Sequence, residues 1–193
     1  MKAYKGFEPG LVCLGYQFSA SGVNQTDKAN CRKNGFHCAE NPLDCLDYYR
    51  DWRRSVYYEV EALGDLDEDG MDSKISCTRM RLVRKLSLYD LLLEAVVYMV
   101  KHPRRKWNSR VRTESSAYGD GFCIARGKQP RAMGKMEDIL VLVREKADSA
   151  EVAEVALLQI GGKKYHPDAW YDVRGLCMEG KNGEEKTAGM QAA

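Results

Sequence analysis

Three cysteines stand seven residues apart in the run CRKNGFHCAENPLDCLDYY, at Cys31, Cys38 and Cys45, and His37 adjoins the middle one. Thiolate and imidazole are ligands that zinc prefers, usually four in a tetrahedron. Cys13, Cys31, Cys38 and either His37 or Cys45 would supply such a set if the strand around Cys13 pairs near the GFHC segment. The interval is Cys-x6-Cys-x6-Cys rather than a CxxC knuckle, which is weak zinc spacing. Neighbouring residues of a strand also point to opposite faces, so one of His37 and Cys38 is expected to be the ligand. The competing reading makes Cys13, Cys38 and Cys77 small core residues, because free cysteine is often buried.

Two other stretches carry chemistry. The segment KHPRRKWNSRVR places Arg104, Arg105, Lys106, Arg110 and Arg112 around Trp107. Cations interleaved with an aromatic suit phosphate contacts and base stacking, or docking into an acidic protein groove. A solvated linker after a helix would look the same. DLDEDG matches the opening of a calcium loop through Asp65, Asp67, Asp69 and Gly70. The twelfth position is Ser76, where a bidentate carboxylate is needed, so an acidic hairpin turn is the better reading. No Ser-His-Asp constellation, P-loop or dinucleotide glycine motif is present, and no catalytic residue is assigned.

The composition bounds the setting. A net charge of +2 is too small for nucleic-acid binding over the whole surface, which makes the local basic patch the useful feature. The longest apolar run, 91–100, is too short to span a bilayer, so no membrane partner is expected. The start lacks a secretory pattern, and seven cysteines is an odd number, which together imply free thiols in a reducing, cytoplasmic setting.

These residues need elements to position them. The pattern predicts a short strand from residue 2 to the FEPG turn, a second strand at 11–18, an extended GFHC segment, and a helix capped by Asn41 and opened by Pro42. Alternation of Val56, Tyr58, Val60 and Ala62 predicts a strand, and a second follows around 76–83. Ser87 and Asp90 form a capping-box start for a helix at 88–101, apolar nearly all round and stopped at Pro103. Ala-x-Gly recurs at Ala117, Ala125 and Ala132, a spacing suited to a short β-roll. Strands are expected at 138–145 and 151–160, with a Gly161-Gly162 turn and a frayed tail. The expected architecture is α+β: a mixed domain at 1–103, a basic and repeat-derived connector at 104–134, and a small β segment at 135–193.

KAYKGF, LVCLGYQF, GFHCAENPLDCLDYY, YYEVEALGD and SKISCTRMRLVRKLSLYDLL together resemble a family of uncharacterised bacteriophage and prophage domains over about residues 1–100. Its members often continue into repeats like those of trimeric adhesin heads, which implies oligomerisation through the remnant at 117–134. The same order of segments is distantly similar to poly-ADP-ribosyltransferase-like domains. That likeness puts His37 at an aromatic motif position, Lys5 where a histidine or arginine is expected, and Glu59 or Glu61 as the nearest acids. The resemblance to phage domains implies an accessory protein that binds and inhibits a host macromolecule, with a CRISPR effector nuclease or another ribonucleoprotein as the target. The alternative is an ADP-ribosyltransferase-like enzyme. The expected partner-binding residues are Arg104, Arg105, Lys106, Trp107, Arg110 and Arg112. The expected structural zinc ligands are Cys13, Cys31, His37 and Cys38.

Overall fold

The computed structural model describes residues 1–68, 70, 73–161 and 163–178. They fall into two compact units that divide between Lys101 and His102. Among the described residues 49% lie in strands and 12% in helices, so the fold is mostly β and the α+β expectation is overturned. Among the described residues no helix is long and apolar enough to cross a membrane.

In chain order the first unit holds β1 (Lys2–Phe7), three two-residue strands β2 (Val12–Cys13), β3 (Tyr16–Gln17) and β4 (Asn24–Gln25), and β5 (Phe36–Ala39). A 3-10 turn at Pro42–Asp44 runs into α1 (Cys45–Tyr48), followed by β6 (Val56–Glu68), β7 (Lys74–Leu86) and α2 (Leu88–Lys101). β6 and β7 form a long antiparallel hairpin. β1 adds to β6 over Lys2↔Glu61 to Phe7↔Val56, and β5 adds to β7 over Phe36↔Cys77 to Ala39↔Lys74. β1 then meets β5 at Tyr4↔Ala39, so the ladder returns on itself as a ring of four antiparallel strands. A ring removes exposed edges and needs an interior filled by side chains. Ala3, Phe7, Phe18, Phe36, Cys38, Val60, Ala62, Ile75, Cys77, Met80 and Leu82 form that interior cluster.

Local chemistry explains where the strands were harder to read. Asp65 to Glu68 are exposed, so the hairpin end has no buried face and shows no apolar alternation. The expected strand at 11–18 is broken: Leu14 and Gly15 take φ of 49° and 78°, the paired positive values of a two-residue hairpin turn. Helix starts are encoded as expected. Asn41 Oδ1 accepts Leu43 N at 3.2 Å, and Ser87 and Asp90 exchange hydrogen bonds of 3.1 and 2.9 Å. The helix α2 differs in burial from the reading of a fully buried element. Leu91, Leu92, Ala95, Val96 and Met99 are buried, while Tyr89, Leu93, Val97 and Val100 are exposed.

The second unit comprises β8 (Val111–Ala117), β9 (Phe122–Met133), β10 (Ile139–Glu145), β11 (Val152–Gln159), β12 (Trp170–Asp172) and β13 (Cys177–Met178). β8, β9 and β10 stack in parallel, with Val111 beside Ile124, Ser116 beside Ala132 and Phe122 beside Ile139. Those partners are 13, 16 and 17 residues apart (124−111, 132−116, 139−122), so each coil of chain lies on the one before it. Ala125 and Ala132 are fully buried on the same strand, at two points along one coil. β11 closes the stack as an antiparallel hairpin partner of β10. The C-terminal tail at 182–193 and the turn residue Gly162 lie outside the described residues.

The β6–β7 hairpin shifts register between Leu63 and Leu66, where Gly64 has φ of 74°. A Cβ at Gly64 would overlap the Thr78 hydroxyl, which accepts Asp65 N at 2.9 Å. Gly70 has a similar φ of 70° but open space around it. Gly64→Ala should therefore lower unfolding free energy by about 1–3 kcal/mol more than Gly70→Ala, read from denaturant midpoints. Equal losses would mean that the contact at Thr78 is not what fixes the register shift.

Candidate functional sites

The single register pair between β1 and β5 leaves a gap beside it, and the chain fills the gap with a charge. Lys5 is 4% exposed, and its Nζ donates to His37 O at 2.7 Å and approaches Cys13 Sγ at 3.4 Å. The Phe7 and Phe18 rings each lie 5.3 Å from that ammonium. Around it opens a cleft of about 260 Å³, lined among others by Gly6, Cys13, His37, Cys45, Tyr48 and Tyr49. The absence of a Cβ at Gly6 is what lets the Tyr49 ring pack against β1. Tyr49 OH then donates to Cys13 Sγ at 3.0 Å, tying α1 to the β2–β3 hairpin.

Three of the four expected zinc ligands, Cys13, His37 and Cys38, line this cleft, each with its ligand atom in a hydrogen bond. His37 Nε2 accepts Arg32 N at 2.9 Å. Cys38 faces the ring interior, where its hydrogen bond with Cys77 and then burial push its pKa up. Cys31 lies outside the cleft lining, with Sγ donating to Lys74 O at 3.6 Å and its N–H to Asp67 Oδ2 at 2.6 Å. Burial pushes Cys45 up to about 12. Among the described residues no group of three or more His, Cys, Asp or Glu is placed to hold a metal ion. Of the calcium-loop residues, Asp65 and Asp67 belong to β6, Ser76 to β7, and Asp69 lies outside the described residues.

The acids suggested by the transferase likeness also sit away from the cleft. Glu59 joins Lys2 at 3.4 Å and Arg84 at 3.3 Å, within a network that includes Glu94 and Asp90. Glu61 pairs with Arg81 at 2.8 Å. Neither lines the pocket that holds Lys5 and His37.

In the second unit the basic segment is anchored rather than loose. Arg126, in β9, is 1% exposed. Its Nε donates to Glu145 Oε1 at 2.9 Å, and one Nη donates to the carbonyls of Pro103 and Ala150, both at 2.8 Å. The guanidinium also stacks 4.7 Å over Trp107. Buried Asn108 accepts Arg110 N at 3.0 Å through its side chain and Val111 N at 3.0 Å through its carbonyl. Trp107 is thus half-buried against an arginine. Arg110 is half-buried, whereas Arg104, Arg105, Lys106 and Arg112 remain exposed. The sequence reading missed Arg126; its visible trace is one charge inside the apolar run FCIA-R.

Breaking a buried pair leaves an uncompensated charge, so Arg126→Met should cost about 3 kcal/mol or more by chemical denaturation. The loss should shrink when Glu145→Gln is already present; additive losses would show that the pair is not coupled. His37 generates a pH effect. Burial, then Lys74, Lys5 and Arg32, hold its pKa down to about 4, against 6.5 for the free side chain. The unfolded chain takes the proton first, so this stability is full above about pH 6.5 and falls as the pH drops toward 4. Denaturation midpoints across that window should flatten in His37→Gln, and an unchanged slope would assign the dependence to other groups.

Searches of curated proteins and of solved structures find no match. The cleft-bearing unit does have a family likeness, and the basic segment lies beyond its end. Residues 1–94, from β1 into α2, match the family model described as a domain of unknown function, DUF7666.

Proposed function

We propose that this is a phage or mobile-element accessory protein that acts by binding and inhibiting a host macromolecule, with a nucleic-acid-guided nuclease of the CRISPR type as the target class. The observation that carries this reading is the fixed basic loop. Arg126 holds the backbone at Pro103 and the ring of Trp107, while Arg104, Arg105, Lys106 and, on β8, Arg112 face solvent. A loop ordered before contact loses less conformational freedom on binding than a flexible linker does. Exposed cations of one sign steer association with an acidic groove or a nucleic-acid channel and select against basic surfaces.

The phage origin is supported by the likeness of the GFHCAENPLD run, whose proline-started turn and short helix shape the Lys5 cleft. Binding is favoured over group transfer because Glu59 and Glu61 are held in ion pairs outside that cleft.

The test is DNA cleavage by a panel of guide-loaded CRISPR nucleases with the full chain added. The reading expects inhibition of at least one member. It also expects the triple variant Arg104→Glu, Arg105→Glu, Arg112→Glu to weaken that inhibition by about tenfold or more and to flatten its salt dependence. Inhibition unchanged by the triple variant would remove the basic loop from the contact, and no inhibition across the panel would reject the target class.

A further inference from the structure

The Lys5 ammonium has three donors, and the protein occupies two of them, with the His37 carbonyl and the Cys13 sulfur. Neither acceptor is a carboxylate, and Lys5 forms no salt bridge among the described residues. The acids at the cleft do not supply one. Asp44 is taken by Ser73 Oγ at 2.6 Å and by Asn41 Nδ2 at 3.3 Å, and Glu8 is exposed at the rim. Elsewhere the pattern is different. Lys128, Arg144 and Arg174, which line a cleft in the second unit, have carboxylates at 3.5, 2.8 and 2.8 Å.

We infer that the Lys5 cleft is a binding site for a small organic anion, its carboxylate or phosphate head seated on the Lys5 ammonium and its apolar or aromatic body lying against Tyr48 and Tyr49. A buried cation without a counter-ion is the arrangement that an incoming oxyanion completes, through a charge-assisted hydrogen bond from the remaining donor. Lys74 stands over Tyr48 at 4.2 Å and also lines the cleft, adding a second positive charge. The cavity of about 260 Å³ lies just below the roughly 300–1,000 Å³ of drug-sized sites, so the fitting ligand is metabolite-sized.

The full chain, labelled with carbon-13 at the lysine Cε, is titrated with benzoate, inorganic phosphate, benzamide and benzylammonium while the Lys5 signal is followed by NMR. That signal is identified by its loss in Lys5→Arg or, if that variant does not fold, by its displacement in Cys13→Ser. The inference expects a saturable shift with benzoate, phosphate or both, and an affinity for benzamide about tenfold or more lower than for benzoate or phosphate, whichever binds. A response to phosphate alone assigns the site to a phosphate head, and a stronger response to benzoate assigns the tyrosines to the ligand body. The inference is overturned if neither anion shifts Lys5 saturably, or if benzamide or benzylammonium shifts it as strongly as the anions do.

Discussion

A cation leaves water only if something replaces its hydration shell, and each unit of this protein takes one out. The idealised cost is of order 20 kcal/mol and the effective cost in a protein is still several, which is large against a net stability of about 5–15 kcal/mol. In the second unit the replacement is complete: Arg126 has a carboxylate, two carbonyls and an indole face. In the first unit Lys5 has a carbonyl, a cysteine sulfur and two aromatic faces, but no carboxylate. Cation–π contacts contribute about 0.5–2 kcal/mol each, less than a counter-ion would. That inequality separates a side chain that anchors a loop from one that awaits a ligand.

Topology decides where the incomplete site falls. Closing four strands into a ring required β1 to meet β5, and they do so at one pair, Tyr4 with Ala39. Beside that pair the sheet supplies no ladder, and Lys5 reaches the His37 carbonyl across the gap. The 3-10 turn, α1 and the β2–β3 hairpin then wall the opening, with Tyr49 and Cys13 meeting where the two pieces touch. The same economy operates in the second unit. Parallel coils leave a buried position in β9 that faces the incoming chain, and Arg126 uses it to hold the segment that carries the exposed cations.

The sequence was most legible where a residue type had one local use. Asn41-Pro42 and Ser87 to Asp90 marked helix starts because their side chains replace missing backbone partners. β10 and β11 were legible as apolar runs. The overall class was not, because the charged end of the β6–β7 hairpin and the polar face of β8 hide strands that are held by ladder bonds rather than by burial. At the candidate sites Cys13, His37 and Cys38 line one cleft and Cys31 does not, and the charge within that cleft is a lysine nitrogen. Spacing marks which residues approach each other. It does not say which ring nitrogen is already bonded, or that Cys38 turns toward Cys77. Arg126 escaped because a buried arginine is recognisable only through partners 19 to 24 residues away.

One asymmetry is therefore central, a satisfied buried cation in one unit and an incomplete one in the other. Crystals of the full chain soaked in iodide would test it by anomalous diffraction, because iodide is a monoanion that carries no hydrogen-bond donors. An iodide is expected in contact with Lys5 Nζ inside the cleft and none at Arg126. Iodide confined to surface cations, with the Lys5 cleft empty of it, would contradict the claim that this lysine lacks its counter-ion.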